Sequence, residues 1–330
     1  MKIAVVILNW NGSKLLRKFL PSVVEYSAEA TVYVADNAST DDSIAVLQAE
    51  FPSVKIIRND KNYGFAKGYN KALKNIDADV FALVNSDIEV TENWLKPILH
   101  TFKTEPETAI IQPKILDYKD KSYFEYAGAA GGFIDKYGYA FCRGRLFENL
   151  EKDLGQYDDD RDIFWASGAC FFIRSTVYKA LDGFDSDFFA HQEEIDLCWR
   201  AFNKGHRLKY IAGSAVYHVG GATLQQGNPR KTYLNFRNSL FMLLKNLPFG
   251  MLFPVIFTRL LLDGIAGVQF ILHGKITHTM AIVNAHFSFY GSFSKTYGKR
   301  NGKQSPKYYK VNSIVYNYFI KKQTIFTKLF

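Results

Sequence analysis

The 330 residues are enough for one large hydrophobic core, or for one catalytic domain with an appended region. Hydrophobic residues make up 48% of the chain and charged residues 22%, which excludes an intrinsically disordered protein. The formal net charge is +9, but residues 197–330 carry 19 basic residues and only one acidic residue, Asp263. This region is suited to an anionic partner, either membrane lipid or nucleic acid, with a solvated basic face as the alternative.

The N-terminal sequence MKIAVVILNW lacks the long apolar segment and the small-residue cleavage site of a signal peptide. Its apolar run predicts a first β-strand instead. Three cysteines, Cys142, Cys170 and Cys198, show no paired metal-ligand spacing. Their odd number and scattered positions predict free thiols in a reducing compartment.

Strand and helix patterns alternate through the first hundred residues. Apolar runs predict strands at residues 3–8, 31–35, 54–57 and 80–84, and helical spacing predicts helices at 13–26, 41–50 and 65–76. Apolar strands separated by such helices indicate an α/β fold with a parallel sheet covered on both faces. Ligands of these sheets lie at the carboxyl ends of the strands, so we expect the site at the polar loops of residues 9–12, 36–39 and 85–87.

The pattern changes after residue 117. Residues 118–150 are aromatic and rich in glycine, which predicts hairpins or an insertion, and an acidic loop follows at 148–162. An ordered block at 163–174, a helix at 193–203 and short strands at 207–212 and 215–219 complete this half.

The C-terminal region has apolar clusters between residues 240 and 272, interrupted by Pro254, Arg259 and Asp263. No uninterrupted apolar run reaches the roughly 20 residues that span a bilayer. Helices that lie in the membrane interface, or a helical hairpin packed on the catalytic domain or on a second subunit, are equally good interpretations. The basic tail after Gly264 also contains many aromatic residues, which favours the membrane surface.

Two acidic segments carry candidate chemistry. Residues 85–87 (NSD) follow a buried strand and place a carboxylate where a divalent cation and a diphosphate would lie, although this triplet is also common in turns. Residues 191–196 (HQEEID) concentrate three carboxylates at the start of a helix, of which the helix dipole explains one or two. A glutamate here could act as a general base if its pKa is raised. His218 is either a metal ligand or a structural histidine.

The ordered motifs of the chain resemble those of glycosyltransferase family 2 over about residues 1–237: VVILNWNG, VADNASTDDS, NYGFAKGYN, LVNSDIEV, ASGACFFIR, LDGFDSDFF and EEIDLCWRAFNKGHRLKYIAGSAVYHVGG. Within the family they are similar to the rhamnosyltransferase-type branch of bacterial cell-surface polysaccharide synthesis. The resemblance implies a GT-A fold, in which a Rossmann-like nucleotide-binding half and an acceptor-binding half share one sheet. We expect a catalytic domain at 1–233 (donor half 1–117, acceptor half 118–233) and a helical, basic region at 234–330 that binds membrane or forms oligomers.

The resemblance also implies roles for individual residues. Glu194, in the pair with Glu193, occupies the position of the general base. Asp87 occupies the position of the metal-binding acid, and His218 that of the histidine that completes a Mg²⁺ or Mn²⁺ site. The nucleotide sugar is expected to contact residues that line the cleft or clamp the diphosphate: Asn9, Asn11, Asp36, Asn62, Lys67, Asn85, Ser86, Trp165, Ser167, Gly168, Arg230, Lys231 and Arg237.

These features predict an inverting, metal-dependent glycosyltransferase. The donor would be a UDP- or dTDP-sugar, and the acceptor a hydroxyl of a saccharide or of a polyprenyl-linked saccharide. We expect a cytoplasmic enzyme, peripheral on the inner face of the cell membrane, whose anionic surface is its partner; a homodimer is the alternative, and no nucleic acid is expected.

Three other classes fit the sequence less well. A dinucleotide-dependent dehydrogenase would carry G-x-G-x-x-G where this chain has NWNGSK. A sugar-1-phosphate nucleotidyltransferase would carry a glycine-rich, arginine-containing loop after the first strand. A non-catalytic carbohydrate-binding protein would leave Asp36, Asp87 and the Glu193–Glu194 pair without a shared role.

Overall fold

The computed structural model describes residues 1–220 and 227–330, so Gly221, the last residue of the final motif, lies outside the described residues. The first part alternates strands and helices: β1 (Ile3–Asn9), α1 (Ser13–Glu25), β2 (Ala30–Asp36), α2 (Ser43–Glu50), β3 (Lys55–Arg58), α3 (Gly64–Leu73), β4 (Val80–Asn85), β5 (Ile88–Val90), α4 (Leu95–Thr104) and β6 (Thr108–Asp117). The strands and helices predicted in this part are confirmed. The side chains of β1 and β4 are almost all buried, as expected for strands covered on both faces.

The second part contains β7 (Gly132–Ile134), β8 (Ala140–Cys142), β9 (Arg145–Leu146), β10 (Asn149–Leu150), β11 (Arg161–Asp162), β12 (Cys170–Arg174), α5 (Ser175–Ala180), α6 (Glu193–Asn203) and β13 (Arg207–His218). The glycine-rich stretch forms a small antiparallel sheet of β7 to β10, and α6 has the predicted bounds. The two short strands predicted at 207–212 and 215–219 are one strand, β13. Its pairing with β6 is irregular between Ile211 and Ala215, so a bulge, rather than a turn, separates the two halves.

One large sheet positions the functional loops. Within the described residues it has nine strands in the order β11-β13-β6-β12-β4-β1-β2-β3, with β5 paired to β13. Strand β1 is parallel to β2 and β4, while β12 is antiparallel to both β4 and β6. Since β13 is parallel to β6, it runs in the same direction as β4. The carboxyl ends of β1, β2, β4 and β13 therefore lie at one edge, together with the loop that leads into β12.

Helices dominate the C-terminal part: α7 (Pro229–Asn246), α8 (Phe249–Leu272), α9 (Ile276–Gly291) and α10 (Phe293–Tyr297), followed by single turns at Tyr316–Ile320 and Phe326–Leu329. Helix α7 packs against α6 and α9, and α8 packs against α7 and α9. The domain boundary predicted at residue 233 falls inside α7, and the division into two domains stays a prediction.

The apolar segment at 240–272 is divided once, between the end of α7 at Asn246 and the start of α8 at Phe249, whereas Pro254, Arg259 and Asp263 do not interrupt α8, which corrects the prediction. Residues 249–272 form one continuous helix, because Arg259 and Asp263 pair four residues apart (2.9 Å between Nε and Oδ1) on the same face, and Pro254 lies near the helix start. In the described part of the chain, α8 is the one helix long and apolar enough to cross a membrane by length and composition, with a mean hydropathy of 1.8.

The basic tail packs back onto the second part of the chain. Tyr308 stacks on Trp199 with 4.8 Å between ring centroids, and Phe326 packs against Phe133 and Phe141. Tyr308 and Phe326 are buried. These two aromatic side chains are therefore part of the protein core, which corrects the expectation that they favour the membrane.

Candidate active site

The loops after β1 and β2 form one hydrogen-bonded unit. Asn9 Nδ2 donates to Asp36 Oδ1 (3.1 Å) and to Ser39 Oγ (3.2 Å). Asp36 Oδ2 accepts from the Ser39 amide (2.9 Å), and Asn11 Oδ1 accepts from the Thr40 amide (2.7 Å). Each carboxylate oxygen of Asp36 keeps a further lone pair with which it can bind the donor groups of a base. The structure thus brings together three residues predicted for the nucleotide cleft.

Gly12 leaves room for the side-chain amide of Asn9 at the start of this loop, beside the turn after β4. A Cβ atom at Gly12 would lie 2.4 Å from Asn9 Oδ1, which no real side chain tolerates, and 3.9 Å from Ser86 Oγ. The Asn9 Oδ1 atom is buried without a hydrogen-bond partner in residues 1–220 and 227–330. Buried polar atoms are normally paired, so this oxygen is a candidate ligand contact.

A second amide network orders the loop before α3. Asn37 Nδ2 donates to Asn62 Oδ1 (3.1 Å), which also accepts from the Gly64 amide (2.9 Å). Lys67 Nζ lies 4.9 Å from the centroid of the Tyr63 ring. Asn62 therefore shapes this loop, and Lys67 lies beside Tyr63 at the start of α3; their contacts with the nucleotide sugar stay predictions. Asn37 was not predicted, although it stands beside Asp36 in the motif DNAST.

The metal-binding candidates meet at the ends of β4 and β13. His218 Nε2 lies 3.2 Å from Asp87 Oδ1 and 3.5 Å from Asn85 Nδ2, and His218 Nδ1 lies 3.2 Å from Glu125 Oε1. All but Asn85 are buried. Burial disfavours the imidazolium, but the hydrogen bonds to Asp87 and Glu125 outweigh burial and raise the pKa of His218 to about 10. Sequence reasoning missed Glu125, which stands alone among apolar and glycine residues in FEYAGAAGG.

This arrangement fits a divalent cation. The carboxylate of Asp87 is a suitable ligand. With its pKa raised to about 10 the His218 ring is protonated near pH 7, so a cation would have to displace the Nε2 proton, as metal binding does at other histidines. Glu125 on the other ring nitrogen would fix the imidazole orientation. In the described part of the chain, no group of three His, Cys, Asp or Glu side chains is arranged to hold a metal ion. Two protein ligands would leave positions for phosphate oxygens and water, as Mg²⁺ and Mn²⁺ commonly use.

The loop before α6 has an unusual backbone. Phe189, His191 and Gln192 have φ angles of 63°, 70° and 71°, although none is glycine. Such conformations cost energy for residues with a Cβ and cluster at functional sites. The loop delivers Glu193 and Glu194 to the first turn of α6.

Glu194 lies at the same sheet edge as the metal candidates. It is partly exposed, whereas Glu193 is buried. A Cβ atom at Gly168 would lie 3.7 Å from Glu194 Cδ, and the carbonyl of the next residue, Ala169, accepts from the Asn85 amide at 2.9 Å. Burial raises the pKa of Glu194 to about 7. Burial, and then the charge of Glu194, raise the pKa of Glu193 well above its usual range.

Four consecutive residues present buried polar atoms that lack partners in the described residues: His191 Nε2, Gln192 Oε1, Glu193 Oε2 and Glu194 Oε2. Burial, and then the charge of Lys231, lower the pKa of His191 to about 4, so the imidazole is neutral near pH 7. A run of unsatisfied polar atoms is typical of a substrate-binding surface rather than of a packed core.

Helix α7 holds this loop in place. Asn238 Nδ2 donates to the carbonyls of Phe188 (2.9 Å), Ala190 (2.9 Å) and His191 (2.7 Å). Lys245, also on α7, donates from Nζ to Asp185 Oδ2 (2.7 Å) and to Asp196 Oδ2 of α6 (2.8 Å). None of these contacts was predicted, because the partners are about 50 residues apart in sequence.

Three predicted contact residues have structural roles instead. Trp165 is 3% exposed and its indole donates to the Phe133 carbonyl (2.8 Å), so it lies in the core and does not line the sugar pocket. Arg237 donates to the carbonyls of Asp187 (3.0 Å) and Phe188 (3.2 Å), which corrects its predicted role as a diphosphate clamp. Ser167 is buried and its hydroxyl accepts from the Ala169 amide, so it shapes the turn.

Two basic candidates remain close to the catalytic loop. The Arg230 guanidinium is 5.4 Å from the Phe189 ring, and Arg230 is exposed. The charge of Lys231 acts on His191, as its pKa shows. Both stay predicted clamps for the diphosphate.

The comparison with known families decides the assignment. Residues 4–182, more than half of the chain, match the sequence profile described as Glycosyl transferase family 2. The chain belongs to glycosyltransferase family 2. The resemblance stated from the motifs is confirmed.

Relatives of this family 2 glycosyltransferase include the N-acetylglucosaminyl-diphospho-decaprenol L-rhamnosyltransferase of Mycobacterium tuberculosis, 23% identical over 230 residues, 65% of this chain and 75% of the relative. Human polypeptide N-acetylgalactosaminyltransferase 16 is 26% identical over 191 residues, 57% of this chain and 34% of the relative. The first similarity agrees with the rhamnosyltransferase-like branch inferred from the motifs.

Solved structures confirm the GT-A fold of this glycosyltransferase. GalNAc-T7 with UDP, GalNAc and Mn²⁺ aligns with a TM-score of 0.61 at 14% identity, over 90% of this chain and 58% of that chain. The mannosyltransferase PcManGT from Pyrobaculum calidifontis, in complex with GDP-Man and Mn²⁺, aligns with a TM-score of 0.53 at 12% identity, over 87% and 86%. S. aureus TarS aligns with a TM-score of 0.52 at 17% identity, over 89% and 74%.

Proposed function

We propose that this family 2 glycosyltransferase is an inverting enzyme that moves a sugar from a UDP- or dTDP-sugar to a hydroxyl of a saccharide or lipid-linked saccharide. The observation that carries the proposal is the position of Glu194. Glu194 is a partly exposed residue whose carboxyl carbon lies beside Gly168, one residue from the Ala169 carbonyl that accepts from the Asn85 amide. A base and a leaving-group site therefore share one edge of the sheet.

On the donor side, Asn9, Asn11 and Asp36 bind the nucleoside, and Arg230 and Lys231 lie where they could contact the diphosphate. Asp87 and His218 would hold Mg²⁺ or Mn²⁺ together with phosphate oxygens. A cation bound there supplies positive charge that stabilises the departing nucleoside diphosphate. Mn²⁺ in two structurally similar glycosyltransferases supports this choice of cofactor.

On the acceptor side, Glu194 accepts the proton of the attacking hydroxyl. Its pKa of about 7 makes it a stronger base than an ordinary carboxylate while leaving much of it ionised at neutral pH. The hydroxyl oxygen forms a bond to the anomeric carbon as the bond to the diphosphate oxygen breaks. A single displacement of this kind inverts the anomeric configuration and needs no enzyme nucleophile.

The biological setting follows from the same comparison. The name of the M. tuberculosis relative specifies a diphospho-decaprenol acceptor, which supports a polyprenyl-linked saccharide as the acceptor here. We place the enzyme in cell-surface polysaccharide synthesis, on the cytoplasmic side of the membrane where nucleotide sugars are made.

The test is a panel of nucleotide sugars incubated with lipid-linked saccharides and Mn²⁺, scored for nucleoside diphosphate release and for the anomeric configuration of the product. We expect one donor to release nucleoside diphosphate in amounts equal to the inverted product. Retention of configuration would overturn the direct displacement. Release of pyrophosphate from a nucleoside triphosphate and a sugar 1-phosphate would support a nucleotidyltransferase.

A further inference from the structure

Helix α8 exposes an apolar stripe along its whole length. The exposed side chains recur every three or four residues, as one face of a helix requires, and seven of them lie on this line: Phe249, Phe253, Phe257, Leu261, Ile265, Val268 and Leu272. Phe253 is 79% exposed and Leu272 is 80% exposed. Soluble monomers rarely expose a continuous apolar surface of this extent.

The two charged residues of α8 lie on the opposite, buried face. Arg259 and Asp263 are buried, and the Arg259 guanidinium donates to the Tyr137 carbonyl (3.2 Å) and lies 3.9 Å from the Tyr139 ring. Asp263 Oδ2 lies 3.3 Å from His286 Nε2 of α9. The helix is therefore inverted with respect to a surface helix in water, since its charges face the protein and its hydrocarbon faces outward.

Helix α9 extends the apolar surface. Its exposed residues follow the same helical spacing: Ile276, Met280, Val283, Phe287 and Tyr290. Two hydrogen bonds fasten α9 to α7, between Thr232 Oγ1 and His278 Nδ1 (2.8 Å) and between the hydroxyls of Tyr233 and Ser288 (2.9 Å). The surface is thus rigidly joined to the helix that holds the catalytic loop.

The charge around this surface indicates whether it binds a second copy of the chain or a lipid membrane. No acidic residue follows Asp263 in the sequence. Of the ten basic residues at 264–330, Lys295 and Lys299 pair with Asp185 and Asp187 and so add little free charge. Lys275, in the connection between α8 and α9, is exposed, and so is Arg230 beside Ile276 and Met280. A second copy of the chain would bring the same positive charge to the interface, while an anionic lipid surface has the complementary charge.

We propose that the exposed faces of α8 and α9 dock the enzyme into one leaflet of an anionic phospholipid membrane. The helices lie in the plane of the interface, with their apolar stripes among the acyl chains and Lys275 among the headgroups. Helix α8 is long enough to span a bilayer, but its buried Arg259 and Asp263 hold it against the catalytic domain. The proposal concerns attachment and does not depend on the sugar that is transferred.

The experiment is flotation of the full chain with vesicles of phosphatidylglycerol and phosphatidylcholine in equal parts, or of phosphatidylcholine alone. We expect strong binding to the anionic vesicles and weak binding to the neutral ones. The triple substitution Phe253→Ser, Phe257→Ser, Leu261→Ser should lower binding to anionic vesicles at least about tenfold, because it removes the centre of the stripe. Leu154→Ser is the control, since Leu154 is 82% exposed on the acidic loop far along the chain from α8.

Two further measurements exclude trivial explanations. Circular dichroism and nucleoside diphosphate binding should be unchanged in the triple variant, because its side chains are exposed. Phe257→Trp should show added fluorescence quenching by phospholipids brominated on their acyl chains, which a protein–protein interface would not produce. Absence of vesicle binding by the unmodified chain would overturn the proposal. So would a triple variant that binds vesicles normally but changes from dimer to monomer, which would assign the surface to a second copy.

Discussion

The side-chain amide of Asn238 donates to the main-chain carbonyl of His191 at 2.7 Å, and so joins α7 to the left-handed loop before the catalytic pair. The same amide group also binds the carbonyls of Phe188 and Ala190. One buried side chain therefore supplies hydrogen bonds to three carbonyl groups of a loop that has no strand or helix partners for them. The position of Glu194 therefore depends on Asn238, which lies beyond the domain boundary predicted at residue 233.

We predict that Asn238→Ala lowers kcat by about 10-fold or more, while the KM for the nucleotide sugar changes little. The loop would lose hydrogen bonds that are each worth about 1 kcal/mol, and its strained conformation would no longer be held in place. Steady-state kinetics with a saturating acceptor measure the effect. Asn235→Ala is the matched control, because Asn235 lies on the same helix and is only partly buried. Equal effects of the two substitutions would indicate general damage to α7.

Much of the donor half could be predicted from sequence. The strands β1, β2 and β4 are nearly continuous apolar runs, and each is followed by a polar loop. Parallel pairing then places Asn9 opposite Asp36 in register, so the meeting of these residues follows from the pattern alone. The bounds of α6 were equally predictable from its helical spacing.

The contacts between distant segments could not be predicted in this way. Glu125 reaches His218 through a glycine-rich insertion that has no periodicity, and its neighbours give no sign of a site. Arg259 and Asp263 look like interruptions of an apolar segment until their i,i+4 pairing on a buried face is known. Trp165 is an aromatic residue of the kind that could line a sugar pocket, but the absence of a side chain at Gly132 lets its ring pack inside the core.

We predict that Glu194→Gln reduces kcat by about 10²–10⁴-fold and leaves nucleoside diphosphate binding intact, because it removes a positioned base without changing its size. Glu193→Gln should have a much smaller effect. Its side chain is buried, and burial together with the charge of Glu194 raises its pKa. The shift favours the neutral carboxylic acid, and glutamine is also neutral. Kinetics and calorimetric titration with nucleoside diphosphate measure both. The reverse ranking would make Glu193 the base, and normal turnover in both variants would reject the site.

Activity should require a divalent cation, and Asp87→Ala should weaken Mn²⁺-dependent nucleoside diphosphate binding about 10-fold or more, because one of two protein ligands is lost. Glu125→Gln should have a smaller effect of the same kind, since it touches only the far nitrogen of His218. Calorimetry with and without Mn²⁺ measures these effects. Asp77→Ala is the control, an exposed aspartate just before β4. Full activity in excess EDTA would remove the cation from the mechanism and leave the diphosphate to Arg230 and Lys231.

Trp165→Phe tests whether this side chain is structural. The substitution leaves the buried Phe133 carbonyl without its indole donor, so we expect the free energy of unfolding to fall by about 1–3 kcal/mol. The KM for the nucleotide sugar should stay the same, because Trp165 does not reach the cleft surface. Denaturant titration and initial-rate kinetics check the two parts. An increase in KM without a loss of stability would return Trp165 to the sugar pocket.

The last prediction concerns pH. Burial raises the pKa of Glu194 to about 7, so its protonated form, which cannot accept a proton, dominates at lower pH. The value of kcat/KM for the acceptor should therefore rise with pH through about 7, and below this pH it should fall about tenfold per pH unit. The neutral His191 on the same loop does not titrate in this range, since its pKa is lowered to about 4.

The measurement is kcat/KM for the acceptor at saturating Mn²⁺ and donor, over a range of about three pH units from about 5.5 to about 8.5 around the expected inflection. Glu193→Gln should keep the inflection, because the substitution leaves the Glu194 carboxyl and the burial that raises its pKa in place. A conservative Glu194→Asp variant should keep some activity with a lower inflection, because the shorter carboxylic acid has a lower intrinsic pKa. If the inflection disappears in Glu193→Gln and is unmoved in Glu194→Asp, the titrating base is Glu193, and the contact between Glu194 and Gly168 positions the acceptor instead.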